Sequence, residues 1–230
     1  MFATDTKFCH NVIMLASKKE KAALIELFHQ GKMVKYAKGE FIIRPGGTPP
    51  GVLFIEEGVV KAYDITKYGE ENLLVIRQPG EILALTWAIT GEDRNIIYTA
   101  LEPTTIYSIS RETFYENIQS DPKMSLPIVD MVTDMYRMHS ERILNLEYRT
   151  VRERLISYLL TCSNRFGKKD KKSKSILLIV PLKQQDIASS INATRETTGR
   201  QLAYLERQNL ISKKNSFITI IDPEKMQSYL

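Results

Sequence analysis

From Met33 to about Ser110 the chain is divided into short runs rich in β-branched and aromatic residues: VKYA, EFIIR, GVLFIEE, VVKAYDI, NLLVIRQ, IIYTAL and TTIYSIS. Turn signals separate them at Gly39, Pro45-Gly46-Gly47, Gly58, Gly69, Pro79-Gly80 and Gly91, and glycine is the residue that reaches the positive φ many tight turns demand. Many short strands with turns about every 8 to 12 residues predict a sandwich or a roll. Ahead of them, residues 18–30 (KKEKAALIELFHQ) place Ala22, Leu24, Ile25, Leu27 and Phe28 in a helix-compatible pattern.

After Asp121-Pro122 the character becomes helical, with no glycine until Gly167. Pro127 lies near the start, where the first turn tolerates it. Ile128, Met131, Met135, Met138, Arg142 and Asn145 follow 3,4 spacing, flanked by Val132, His139 and Leu146. That stripe predicts a coiled-coil seam joining two copies from about Met124 to Asn145. Only two to three heptads are present and one seam position is charged, so packing against the chain's own β-roll is the alternative.

Charge is unevenly spread. Residues 151–230 carry 15 Lys and Arg against 7 Asp and Glu, a balance of +8, whereas residues 1–150 carry 17 against 20. The basic third is therefore a candidate polyanion binder, although the run Arg165, Lys168, Lys169, Lys171, Lys172, Lys174 also fits a solvated loop. A strand, SILLIVPL, precedes a helix over Gln184 to Ile191, a turn at Asn192-Ala193, and a helix from Arg195 to about Gln208 with Thr194 as its N-cap. Ala188 is small enough for the helices to cross closely, and Leu202 and Leu205 supply the inward face. ISKK-NS-FITII then forms a hairpin about Asn215-Ser216, giving a winged helix-turn-helix.

The chemistry sits on the second of these helices. Arg195, Glu196 and Arg200 occupy its first turns at a spacing that can aim them into a major groove. Arginine binds guanine O6 and N7 bidentately and glutamate accepts from cytosine N4, so the trio suits G·C pairs; an ordinary charged helix surface is the plain alternative. Thr194 belongs to the same interface, and Lys183, Gln184 and Gln185 are expected to face phosphates, which position without specifying.

Other classes find little support. Cys9 and Cys162 are too few for a disulfide framework or a four-thiolate metal site. His10, His29 and His139 lack metal-ligand spacing, and Cys9-His10 is a weak candidate for haem or metal. There is no phosphate-cradling loop, H-E-x-x-H or nucleophile elbow, no apolar run approaching the roughly 18 residues of a membrane span, and no secretory signal. An enzyme is not expected, no cofactor is predicted, and the location read from the sequence is cytoplasmic.

Three segments, KGEFIIRPGGTPPGVLFIEEGVVKAYDI, PGEILALTWAITGEDRNIIYTALEP and TRETTGRQLAYLERQNLI, resemble the Crp/Fnr regulators, bacterial transcription factors with a cyclic-nucleotide-binding-like β-roll. The resemblance covers nearly the whole chain. It implies a homodimer, near-palindromic DNA sites and contact with RNA polymerase. Arg195, Glu196 and Arg200 coincide with the base-contacting positions of the catabolite-activator branch, implying TGTGA-like half-sites; the Fnr branch has serine where Gly199 stands.

The effector segment departs from the pattern. Where cyclic-nucleotide binders carry a Gly-Glu pair for phosphate amides and ribose hydroxyls, this chain has Ala84-Leu85; where they carry Arg-Ser or Arg-Thr for the phosphate, it has Arg94-Asn95. His139 and Ser140 fall where binders place adenine-facing polar groups, with a seam histidine and an exposed serine as the plain alternative. Trp87 is read as core rather than as a stacking platform. Cyclic AMP is therefore not expected to be the effector, and an anionic ligand of another kind is.

The expected architecture is α+β: a β-roll of the double-stranded β-helix or jelly-roll type over residues 1–122, a long dimerisation helix over 123–150, and a winged helix-turn-helix over 151–230. It predicts an allosteric DNA-binding regulator. A haem or redox sensor of the same fold, or a ligand-binding module docking an acidic protein, are the alternatives.

Overall fold

The computed structural model describes residues 14–230; Cys9 and His10 lie outside the described residues. Helix α1 (Lys18–His29) begins with a reciprocal cap, in which Ser17 accepts from the Glu20 amide and Glu20 accepts from the Ser17 amide. Eight strands follow: β1 (Lys32–Tyr36), β2 (Phe41–Ile43), β3 (Val52–Glu57), β4 (Val60–Ile65), β5 (Glu71–Arg77), β6 (Ile82–Leu83), β7 (Ile97–Ala100) and β8 (Thr104–Ile109). They form two four-stranded antiparallel sheets, ordered β1-β8-β3-β6 and β2-β7-β4-β5. Ile43, Leu53, Ile55, Val60, Ala62 and Ile106 share the buried cluster between them. Gly58, which links β3 to β4 at φ +92°, lies so close to the Pro103 carbonyl and Thr104 that a β-carbon has no room.

Two short helices without a legible period accompany the strands: α2 (Leu85–Thr90) between β6 and β7, and α3 (Arg111–Ser120) after β8, the latter capped by Ser110. A 3-10 turn (Pro122–Met124) leads into α4 (Ser125–Tyr148), and only Arg149 and Thr150 separate α4 from α5 (Val151–Phe166). Thr150 and Glu153 cap α5 reciprocally, which satisfies its first amides and fixes the break.

The 3,4 stripe on α4 faces inward. Ile128 is buried and Met131 packs against the cluster formed by α1, β3 and α3. The Arg77 guanidinium donates to the Met135 thioether, Arg142 donates to the Leu73, Leu74 and Ser189 carbonyls, and the Asn145 amide donates to Ser157. The seam predicted on Ile128, Met131, Met135, Met138, Arg142 and Asn145 is thus corrected: this face is taken up by the same chain. Periodicity identifies an apolar stripe, but it cannot say which surface the stripe meets. The exposed apolar residues of α4 are Val129, Val132, Tyr136, Ile143, Leu144 and Tyr148.

The C-terminal elements are β9 (Gly167–Lys169), β10 (Ile176–Leu178), α6 (Gln184–Ser190), α7 (Arg195–Arg207), β11 (Ile211–Lys214), β12 (Phe217–Ile220) and α8 (Pro223–Gln227). Their sheet runs β11-β12-β10-β9. SILLIVPL forms a strand over only three residues, because the Ile179 amide turns to the Phe166 carbonyl and Leu182 to Ser216. Lys168 to Lys174 of the basic run form one arm and the tip of the β9–β10 hairpin, whereas Arg165 belongs to α5 and pairs with Glu81 rather than lying in a solvated loop. Val59, Leu73 and Ile76 of the roll join Leu155, Leu159, Ile187, Leu202 and Met226 in one buried cluster, so the two parts of the chain share apolar packing.

Candidate nucleic-acid interface and effector cavity

Helices α6 and α7 pack against each other, and Ala188, the small residue expected at their crossing, is 1% exposed. Asn192 turns the chain at φ +49°, a conformation asparagine tolerates better than most residues. Thr194 then caps α7 by accepting from the Thr197 amide at 3.1 Å. Leu202 and Leu205 are buried as expected, and Arg195, Glu196 and Arg200 are all exposed, Arg195 at the helix start and Glu196 and Arg200 on the side away from the two leucines. Arg200 donates to the Thr197 hydroxyl at 3.2 Å, which leaves the rest of its fork free to take a ligand.

Lys183 and Gln185 are exposed at the start of α6. Gln184 departs from the phosphate-facing placement: its amide nitrogen donates to the Arg195 carbonyl at 2.6 Å and lies directly over Gly199. It braces the two helices, and a β-carbon on residue 199 meets that same nitrogen. The wing is a β11–β12 hairpin with Asn215 at φ +56°.

In the roll, a cavity of about 180 Å³ is lined by Ala84, Leu85, Trp87, Arg94, Tyr98 and His139, among others. The structure thereby gathers Ala84, Leu85, Arg94 and His139, whereas Asn95 and Ser140 are outside its lining. Asn95 is exposed on the loop after α2, and Ser140 is the next position round the helix from His139. Ala84 has φ +52° and ψ +33°, so the backbone keeps a left-handed conformation suited to glycine while carrying a methyl group. Its amide donates to the Tyr98 hydroxyl at 3.3 Å.

Leu85 is 5% exposed and adds no acceptor. Arg94 is exposed and forms no ion pair among the described residues. Partial burial, followed by the charges of Arg142, Arg77 and Arg94, holds His139 below the ordinary imidazole value, so it is neutral at pH 7. Trp87 is half-buried: it packs on the core and lines the cavity. Sequence reasoning missed Arg77 and Tyr98, which sit on strands whose patterns read as ordinary sheet.

No group of three or more His, Cys, Asp or Glu fit to hold a metal ion occurs among the described residues, and no described helix is long and apolar enough to cross a membrane.

Residues 33–121 match the model of the cyclic nucleotide-binding domain, and residues 153–229 that of the Crp-like helix-turn-helix domain. The chain is 26% identical over 185 residues to the fumarate and nitrate reduction regulatory protein of Vibrio cholerae, covering 80% of this chain and 73% of that one. It is 23% identical over 232 residues to the nitrogen fixation regulation protein FixK of Bradyrhizobium diazoefficiens, covering 99% and 96%. Among solved structures, a CooA mutant from Carboxydothermus hydrogenoformans superposes with a TM-score of 0.72 at 21% identity, covering 89% of each chain. FixK2 from Bradyrhizobium japonicum superposes with a TM-score of 0.72 at 19% identity, covering 86% of this chain and 96% of that one.

Proposed function

Because this chain belongs to the Crp/Fnr family and is a DNA-binding transcriptional regulator, we propose that it binds a two-fold site with TGTGA-like half-sites as a homodimer, under control of a small molecule other than cyclic AMP. The observation that carries this reading is that Arg195, Glu196 and Arg200 on the first turns of α7 are all exposed while Leu202 and Leu205 of the same helix are buried. Such a helix end presents bidentate donors and an acceptor to base edges, while Lys183 and Gln185 touch the phosphates. RNA polymerase is the partner such a bound dimer engages.

The outward face of α4 supports the dimer. Val129, Val132, Tyr136 and Ile143 recur at coiled-coil spacing and are 39–73% exposed in the single chain. A two-fold partner covers the same patch on both copies.

Leu85 and Ala84 argue against cyclic AMP. A ribose hydroxyl buried against leucine stays unpaired, at about 1 to 3 kcal/mol, and the Ala84 methyl occupies space where backbone must approach phosphate. Arg94 and the neutral His139 suit an anion of another kind, a carboxylate or phosphate.

Selection of bound duplexes from a random pool, with and without cell extract, tests the site and its effector dependence together. Recovery of two TGTGA-like half-sites with centres about one helical turn apart is expected. Arg200→Ala is expected to cost roughly 1 to 3 kcal/mol per half-site and relax one base pair, whereas Lys183→Ala weakens all sequences alike. Equal losses on selected and random DNA for Arg200→Ala reduce that arginine to a phosphate contact. Low-micromolar cyclic AMP binding by calorimetry, coupled to tighter DNA binding, overturns the effector reading.

A further inference from the structure

A second cleft, of about 110 Å³, opens between the roll and the helix-turn-helix domain. It adjoins the roll cavity through Leu74, Val75 and His139 but excludes Arg94, Ala84 and Leu85. One wall is β5 with α4, and the other is α5 with the end of α6.

Its polar groups are unsatisfied in one direction only. The Tyr158 hydroxyl and Arg154 Nε, both on lining residues, are buried without an acceptor. Ser190 and Cys162 flank the hydroxyl without closing a hydrogen bond that meets normal geometry. Buried polar groups in native proteins are nearly always paired, so donors left over at one place call for an acceptor.

Charge points the same way. Arg142 donates only to carbonyls, of Leu73, Leu74 and Ser189, and Arg154 only to those of Arg149 and Asn192. Neither forms an ion pair among the described residues. Asp64 acts on Arg142 from a distance without pairing with it. The other charged lining groups are already matched, Arg165 by Glu81 and Glu141 by Arg137. Burial pushes the Tyr158 phenol well above its ordinary value and the Cys162 thiol up to about 12, so both keep their protons and Tyr158 remains a donor. The rest of the lining, including Leu74, Ile76, Met138 and Phe166, is apolar.

We propose that this interdomain cleft is a second ligand site, taking a small carboxylate with an apolar body whose oxygens accept from Tyr158 and Arg154. Engineered apolar cavities of about 150 Å³ hold one benzene ring; at about 110 Å³ this cleft is smaller, so it takes a short branched chain, or a single ring that stays partly in its open mouth. Such a ligand touches both domains at once and stabilises their docked arrangement. The inference is independent of what α7 reads.

Fluorine NMR of para-fluorobenzoate added to the full chain tests it. Line broadening is expected with the unaltered protein and with Arg94→Ala, and affinity about tenfold lower with Tyr158→Phe, which removes one donor and no packing. Retained binding of Tyr158→Phe to duplex DNA confirms that this variant is folded and keeps the DNA reading separate. Absence of broadening with the unaltered protein overturns the proposal. So does broadening lost in Arg94→Ala and kept in Tyr158→Phe, which places the anion in the roll cavity.

Discussion

Lys61 Nζ lies 3.5 Å from Asp186 Oδ1 across the boundary between the roll and the helix-turn-helix domain, and the same ammonium donates to Glu71. Lys61 and Asp186 are each 7% exposed. Removing one partner of such a pair leaves the other charge buried and uncompensated. Lys61→Met is therefore expected to cost about 3 kcal/mol in urea unfolding, and Lys61→Met with Asp186→Leu to recover most of it. Unchanged stability in the single variant refutes the pairing.

The same lysine sets a pH window. Burial alone lowers its pKa, but the Glu71 hydrogen bond and the Asp186 and Glu71 charges outweigh that and raise it. A folded-state pKa above the unfolded value of about 10.4 means that the contribution is fully present below that pH and is lost as pH rises through the folded value. The stability gap between the unaltered protein and Lys61→Met is expected to be flat from pH 7 to 9 and to narrow above about pH 10.4.

On α4, the two faces are expected to answer differently to charge. Ile143→Lys, on the exposed face, is expected to give folded monomers by sedimentation velocity, through like charges brought together at the dimer seam. Met131→Lys, on the inward face, is expected to lower thermal stability instead, because Met131 packs against the core beneath α1. Monomers from Met131→Lys at unchanged stability reverse the assignment of the faces.

Ala84→Gly is expected to stabilise the chain by about 1 kcal/mol, since φ +52° costs an alanine roughly 1 to 2 kcal/mol that glycine avoids. Thermal unfolding without ligand measures it. A loss of stability shows that the alanine methyl contributes packing that outweighs the strain.

Gly199 and Gln184 are expected to behave as a coupled pair. Gly199→Ala gains about 1 kcal/mol of helix propensity but displaces the Gln184 amide from the Arg195 carbonyl, a loss of similar size. The net effect is near zero alone and stabilising in a Gln184→Ala background. A double-mutant cycle with no coupling refutes the brace.

The strands of the roll were legible because each is short, β-branched and bounded by glycine or proline. The helix-turn-helix was legible because Thr194, Asn192 and the Leu202/Leu205 spacing all point to one local structure. Helices α2 and α3 were not, since six and ten residues give too few turns for a period to emerge. The direction of the α4 stripe was also hidden, because spacing fixes which residues share a face and says nothing of the surface opposite. Of the site residues, the α7 trio could be placed from sequence alone. Lys61, Asp186 and Tyr158 could not: their chemistry arises from a meeting of distant segments, with Lys61 and Asp186 125 positions apart.

The apolar cluster that spans the domain boundary also sets how readily the two parts separate. Exposing Val59, Leu73 and Ile76 forfeits on the order of 5–9 kcal/mol of burial, before the entropy that a freed domain regains. Moving a two-state population from 1:99 to 99:1 takes about 5.5 kcal/mol. The two figures are of one size, so the docked arrangement is stable enough to dominate hydrogen exchange at the α6–β5 contact, yet weak enough for one bound molecule to tip.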